Sequence, residues 1–279
     1  MMLTPGDLTR DLDDLPSLPA VVMELLGSVD QEDADLSLLA KKVALDGALT
    51  AKTLRLANSS AYGLQVKATT IGQAMAYLGF EATRNLIMAA AMTGCFPSGR
   101  CPSFDDKAFW RLSIATACCA RVLARHLHFN QDVAFTAGLL HGIGQLVLVT
   151  RYPEQYDAVL RERARLDTDL LATERTMLGI DHVTAGVALA EHWEFSATLH
   201  QALAFYGQPE TPGAGFLATI VHVANAVAHA LDLAGDAHDV VPAVSSVAWT
   251  ALGLSEEAWL HVFRETELQF EEMTAILLA

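Results

Sequence analysis

The chain has 279 residues, 52% of them hydrophobic, and a formal charge of −15. That apolar content belongs to a folded chain and excludes disorder. The negative surface repels phosphate backbones and so disfavours non-specific nucleic-acid binding. Ala, Leu, Glu and Arg recur while β-branched alternation is scarce, so the expected class is all-α. The N-terminus, MMLTPGDLTRDLDD, is acidic and lacks the apolar core of a signal peptide. No apolar run reaches the roughly 20 residues of a membrane span. The nearest, Ala214–Val227, is interrupted by His222 and Asn225. Cys95, Cys101, Cys118 and Cys119 show no CxxC spacing, so reduced thiols in a cytoplasmic protein are expected.

In chain order, Leu15-Pro16-Ser17-Leu18-Pro19 opens a helix whose apolar positions are Val21, Val22, Leu25, Leu26 and Val29. A second helix covers Leu36–Leu45 and breaks at Asp46-Gly47. A third, Ala48–Asn58, puts Leu49, Thr53, Leu56 and Ala57 on one face before the turn residues Asn58-Ser59-Ser60 and Tyr62-Gly63. Thr70 and Gln73 have capping-box spacing for a helix ending at Leu78-Gly79, and Glu81–Cys95 reads as a mostly buried helix. Pro97–Pro102 is turn-rich, so we place a lobe boundary there, with residues 1–103 and 104–279 as two packed helical lobes.

In the second lobe, Ser103 and Asp106 suit the start of a long helix to Leu127, with Trp110, Ile114, Ala117, Cys118 and Val122 as its buried stripe. Asn130 caps a helix carrying His141. Pro153–Leu166, Asp169–Leu178, Asp181–Trp193, Ser196–Tyr206, Gly213–Leu231, Val244–Leu252 and Ser255–Leu278 follow. Arg161, Arg163 and Arg165 read as a solvated helix face, because Glu162 and Asp167 interrupt and flank them. Trp110, Trp193, Trp249 and Trp259 read as core or interface anchors.

Several stretches carry a resemblance. They are LPSLPAVVMELL, Val43–Gly63 with its Asn-Ser-Ser…Tyr-Gly turn, TTIGQAMAYLGFEATRNLI, FWRLSIATACCARVLA, AFTAGLLHGIGQLVL, ERTMLGIDHVTAGVALAEHW and FLATIVHVANAVAH. In this order they resemble the HDOD domain family, signalling output modules related to the HD metal-dependent phosphohydrolases. The resemblance spans about residues 15–230 and implies an HD-like C-terminal lobe. Gly47 departs from it, standing where the family usually has proline, but it breaks the helix equally well.

A working HD site holds one or two divalent metals through converging histidines and carboxylates. Set against that pattern, Leu112 stands for the early histidine, Gly142 for the aspartate after His141, Gln145 for a lysine, Asn225 for the late aspartate, and Phe205-Tyr206 for paired histidines. Only His141 and His182 stand where the pattern favours them. His222, Asn225 and His229 share helical spacing and with His141 and His182 offer three or four nitrogens, but a neutral amide does not offset a metal's charge as a carboxylate does. The expected reading of His141 is a core histidine bonded to a backbone carbonyl.

The expectation is therefore a vestigial pocket with no catalytic or metal-binding residues and no cofactor. The chain would be a non-catalytic output or scaffold module working through a protein partner. It would bind no nucleic acid and insert in no membrane. With no receiver, cyclase or kinase segment recognisable in the sequence, its input is expected from a separate partner. The alternatives are a degenerate phosphohydrolase acting on a nucleotide or cyclic dinucleotide, and a sensor binding a small ligand without turnover.

Overall fold

A computed structural model describes residues 2–12, 22–23, 36–59, 62–93, 96 and 101–278. The described residues form helices joined by turns, with no strand among them. The expected helix start at Leu15–Pro19, most of its apolar series, and most of the Pro97–Pro102 joint lie outside the described residues.

Local chemistry sets the helix starts. A helix leaves its first N–H groups unpaired, and a side-chain oxygen just before it satisfies them. Helix α1 (Pro5–Asp11) opens with a capping box between Thr4 and Asp7. Helix α2 is Leu36–Ala44. Asp46, expected only to break α2, also caps α3 (Gly47–Ala57), which buries Leu49, Thr53, Leu56 and Ala57 as its periodicity predicts. Thr70 caps α4 (Ile71–Leu78), but the Gln73 side chain accepts from Thr69 N–H, one residue before the position a strict capping box uses. Helix α5 is Phe80–Met92.

Helix α6 (Asp106–His126) is the central element and packs against the helices Gln131–Leu140, Phe216–Ala230 and Glu256–Leu277. Asp105 caps it. Ser103, expected at that position, instead donates its backbone N–H to Asp157 at 2.8 Å. The apolar run that reads as one helix is two: α7 (Gln131–Leu140), capped by Asn130, and α8 (Ile143–Arg151), with His141 and Gly142 in the turn between them. Gly142 supplies no side-chain cap, and its φ of −92° and ψ of 7° make a turn that other residues can also adopt. Taken through this bend, Gln131–Arg151 is long and apolar enough to cross a membrane, more so than Ala214–Val227, but it is buried in the core.

Helices α9 (Pro153–Leu166), α10 (Leu170–Leu178), α11 (His182–His192), α12 (Ala197–Phe205) and α13 (Phe216–Ala230) follow, and Asp169, Asp181 and Ser196, where the sequence reading starts its segments, cap α10, α11 and α12. Helices α14 (Ser246–Leu252) and α15 (Glu256–Leu277) are capped by Ser245 and Ser255. Trp249 stacks on buried Trp259 at 4.0 Å between ring centroids.

Two glycine contacts fix the centre. A Cβ on Gly138 would lie 2.8 Å from Ala117 Cα, so α7 lies almost backbone to backbone on α6. A Cβ on Gly144 would lie 1.9 Å from the His182 carbonyl oxygen, so α8 and α11 cross at Gly144. This crossing brings His141 and His182 to one cavity, as their shared lining of it records.

Candidate functional site

The cavity encloses about 160 Å³ between α6, the α7–α8 turn, α9, α11, α13 and the segment after α13. Leu112, His141, Gln145, His182, Tyr206 and Asn225, six of the positions expected there, line it. Gly142 does not, although a Cβ on it would lie 3.5 Å from the Gln145 amide nitrogen, which places it just behind the wall. Phe205 and His222 are not in the lining either. His222 faces the other side of α13. Its Nδ1–H donates to the Tyr206 carbonyl at 2.9 Å and its Nε2 accepts the Ser245 N–H at 3.0 Å. Shared helical spacing put His222 with Asn225 and His229, but the α12–α13 turn claims it first.

His141 is 4% exposed. Its Nδ1 lies 2.7 Å from the Gly138 carbonyl oxygen, which can only accept, so Nδ1 carries the proton and Nε2 has a lone pair. Burial pulls the imidazole pKa down to about 4. The Tyr206 ring meets it edge to face at 5.2 Å. The Asn225 carboxamide lines the same cavity, with no hydrogen-bond partner for Oδ1.

His182 has both ring nitrogens engaged. Nδ1 donates to Glu174 Oε2 at 2.7 Å, and Nε2 lies 2.8 Å from the Tyr206 hydroxyl. Glu174 is fully buried. Its Oε2 also accepts the His182 backbone N–H at 2.8 Å, and its Oε1 accepts the Tyr156 hydroxyl at 2.7 Å. Burial alone would lower the His182 pKa, but the facing Glu174 carboxylate outweighs it and holds the pKa above the ordinary value. Glu174 carried no signal in the sequence. An acidic residue inside a predicted helix usually faces solvent, and only the packing of α10 shows that this one does not.

The other wall also escaped sequence reading. Arg163, expected on a solvated face, turns inward while its neighbours Arg161 and Arg165 stay exposed. It lies 3.2 Å from Asp236 and 3.6 Å from Asp239. His229 Nδ1 lies 2.6 Å from Asp239. Asp105 and Asp169 stand at the rim. A spacing of two separates these arginines, and on a helix that spacing rotates successive side chains to different faces.

The donor set does not fit the metal that an HD site would hold. His182 spends both nitrogens inside the protein and His141 spends one. Asn225 is neutral, and Gly142 has no donor. Among the described residues, no group of three or more His, Cys, Asp or Glu is placed to hold a metal ion. Elsewhere, burial pushes the Cys118 and Cys119 thiols up to about 12, which leaves them unreactive.

Comparison with known proteins agrees with this architecture. Over 97% of both chains, the structure is similar to a Shewanella amazonensis protein named as a candidate phosphohydrolase, with a TM-score of 0.75 and 28% identity. It is similar in fold to an HDOD domain protein of unknown function from Geobacter sulfurreducens, with a TM-score of 0.76 and 24% identity over 93% of this chain and 87% of that one. In sequence it is 28% identical over 153 residues to the cyclic di-GMP phosphodiesterase CdgJ of Vibrio cholerae, covering 52% of this chain and 34% of that protein. It is 26% identical over 200 residues to an uncharacterised protein of Treponema pallidum, covering 70% of this chain and 38% of that protein. The chain thus spans little more than a third of the length of these curated relatives. The HDOD domain family model matches residues 15–209, most of the chain, and the chain belongs to the HDOD domain family.

Proposed function

We propose that this HDOD protein is a non-catalytic signalling module that acts by binding another protein, with the HD-type centre kept as a packed core. The observation that carries this reading is the engagement of His182 with both Glu174 and Tyr206. A ring nitrogen held this way is lost to a metal unless the buried network breaks, and metal-ligating histidines otherwise keep one nitrogen free for the ion. The charge of the pocket points the same way. Among the described lining residues, the four carboxylates Asp105, Asp169, Asp236 and Asp239 outnumber the one guanidinium, Arg163, a balance that repels a phosphate ester.

The test is metal analysis of the chain purified without chelator, together with hydrolysis assays on cyclic di-GMP and simple phosphodiesters. The expected result is less than one equivalent of transition metal and no turnover. Stoichiometric metal with turnover that His141→Ala abolishes would establish the competing reading, a phosphohydrolase. That second reading is favoured by the likeness to the Shewanella amazonensis protein along nearly the full length of both chains.

A further inference from the structure

One wall of the cavity differs in construction from the others. Residues 235–242 run between α13 and α14 without regular structure, and Asp236, His238, Asp239, Val240 and Pro242 line the cavity. Both flanks are pinned. Arg111 Nε donates to the Ala234 carbonyl at 3.0 Å, and His222 accepts the Ser245 N–H. Between those pins the main chain makes a local turn, with the Asp239 N–H on the Asp236 carbonyl and the His238 N–H on the Asp236 carboxylate, and among the described residues no backbone–backbone hydrogen bond joins this stretch to another element. Its attachment is by side chains: Asp236 and Asp239 to Arg163 on α9, and Asp239 to His229 on α13. The N···O separations of 3.2 and 3.6 Å to Arg163 are long for charge-assisted bonds. Gly235, at φ +69°, and Pro242 mark the two ends, one a residue free to turn left-handed and the other a break in hydrogen bonding.

A segment with fixed ends, no backbone ladder and a few side-chain tethers opens locally at lower free energy than the helices around it. We infer that residues 235–242 form a strap that closes the His141 cavity, and that it opens when Asp236 and Asp239 release Arg163 and His229 while α9 and α13 stay folded. The strap is continuous with α14 through Ser245, so the state of the cavity and the position of the C-terminal helices are mechanically linked. The inference goes beyond the signalling reading and holds whether or not the chain hydrolyses anything.

Chemical modification of the full chain tests it. Diethyl pyrocarbonate reports access to the unprotonated Nε2 of His141, and maleimide labelling of buried Cys118 and Cys119 in α6 reports global unfolding. Wild type, D236N/D239N and the control D232N, which alters an exposed aspartate outside the tethers, are compared by peptide mass spectrometry. Loss of the tethers should speed His141 modification about tenfold in D236N/D239N, with D232N at the wild-type rate and the thiols protected in all three. Equal His141 rates in wild type and D236N/D239N would overturn the strap. If D236N/D239N exposes its thiols, wild type decides: His141 modified ahead of the thiols supports local opening, and modification in step with them refutes it.

Discussion

At the scale of single residues, Glu174 governs the site. Three donors converge on its two oxygens: the Tyr156 hydroxyl, the His182 N–H and the His182 ring. Glu174→Gln keeps the shape but replaces one acceptor with a donor that faces donors. We expect a loss of about 3 kcal/mol in urea unfolding, because a buried partner of a charge is removed and groups are left unsatisfied. The His182 pKa, followed by NMR, should fall in the same variant. His141 sets an acid limit. Its folded pKa of about 4 lies below the ordinary value near 6.5, so between those pH values the unfolded chain binds a proton that the folded chain refuses. Stability should therefore drop as pH falls from about 6.5 to about 4, by on the order of 3 kcal/mol from this group. His222, also lowered by burial, adds in the same direction. His182, raised, has the opposite sign: its contribution is complete below about 6.5 and is lost as pH rises through its folded pKa. Thermal melts of His141→Gln between pH 4 and 7 should show a shallower slope than wild type, and an unchanged slope would refute this assignment.

At the scale of elements, the site is placed by one crossing. The space at Gly144 is closed by α11 backbone, which cannot move as a side chain would. Gly144→Ala should push α8 from α11, separate His141 from His182 and destabilise the fold by more than about 3 kcal/mol. Gly142→Ala should change stability by less than about 1 kcal/mol, since its nearest neighbours are the ends of Phe109 and Gln145 at 3.4 and 3.5 Å. Circular dichroism melts of the pair distinguish a packing role from a turn role. The cap at Asn130 and the helix starts at Asp169, Asp181 and Ser196 were legible because capping is local chemistry within four residues. The break at His141-Gly142 was not, because apolar periodicity runs through it and a helix tolerates glycine.

At the scale of the molecule, polar bridges tie the early helices to the later ones. Asn85 on α5 donates to the Asp132 carbonyl and carboxylate at 3.0 Å and accepts from Thr136 at 2.7 Å, both residues being on α7. Arg121 on α6 donates to the Tyr62 hydroxyl at 2.7 Å and lies over its ring. At the other end, α1 packs on α11, Leu3 N–H bonds the Leu178 carbonyl and Tyr152 bonds Asp11. Asn85→Ala should cost about 2 kcal/mol, because it removes the hydrogen bonds that join α5 to Asp132 and Thr136 on α7. All four tryptophans lie at or beyond residue 110, so their fluorescence reports the later helices. If the halves unfold together, Asn85→Ala shifts the fluorescence midpoint as far as the circular dichroism midpoint, and an unmoved fluorescence midpoint would show them uncoupled.

The sequence by itself determined the helical class, most helix starts, the family, and the absence of acidic groups at positions 142 and 225. All of these depend on residue type and on neighbours within one or two turns. Tertiary structure alone decided that His182 is bound on both sides, that Arg163 turns inward, that His222 leaves the pocket and that the 235–242 stretch lines it. Those outcomes rest on which helix faces meet across the core, and a polar side chain's partner there can stand tens of residues away in the chain.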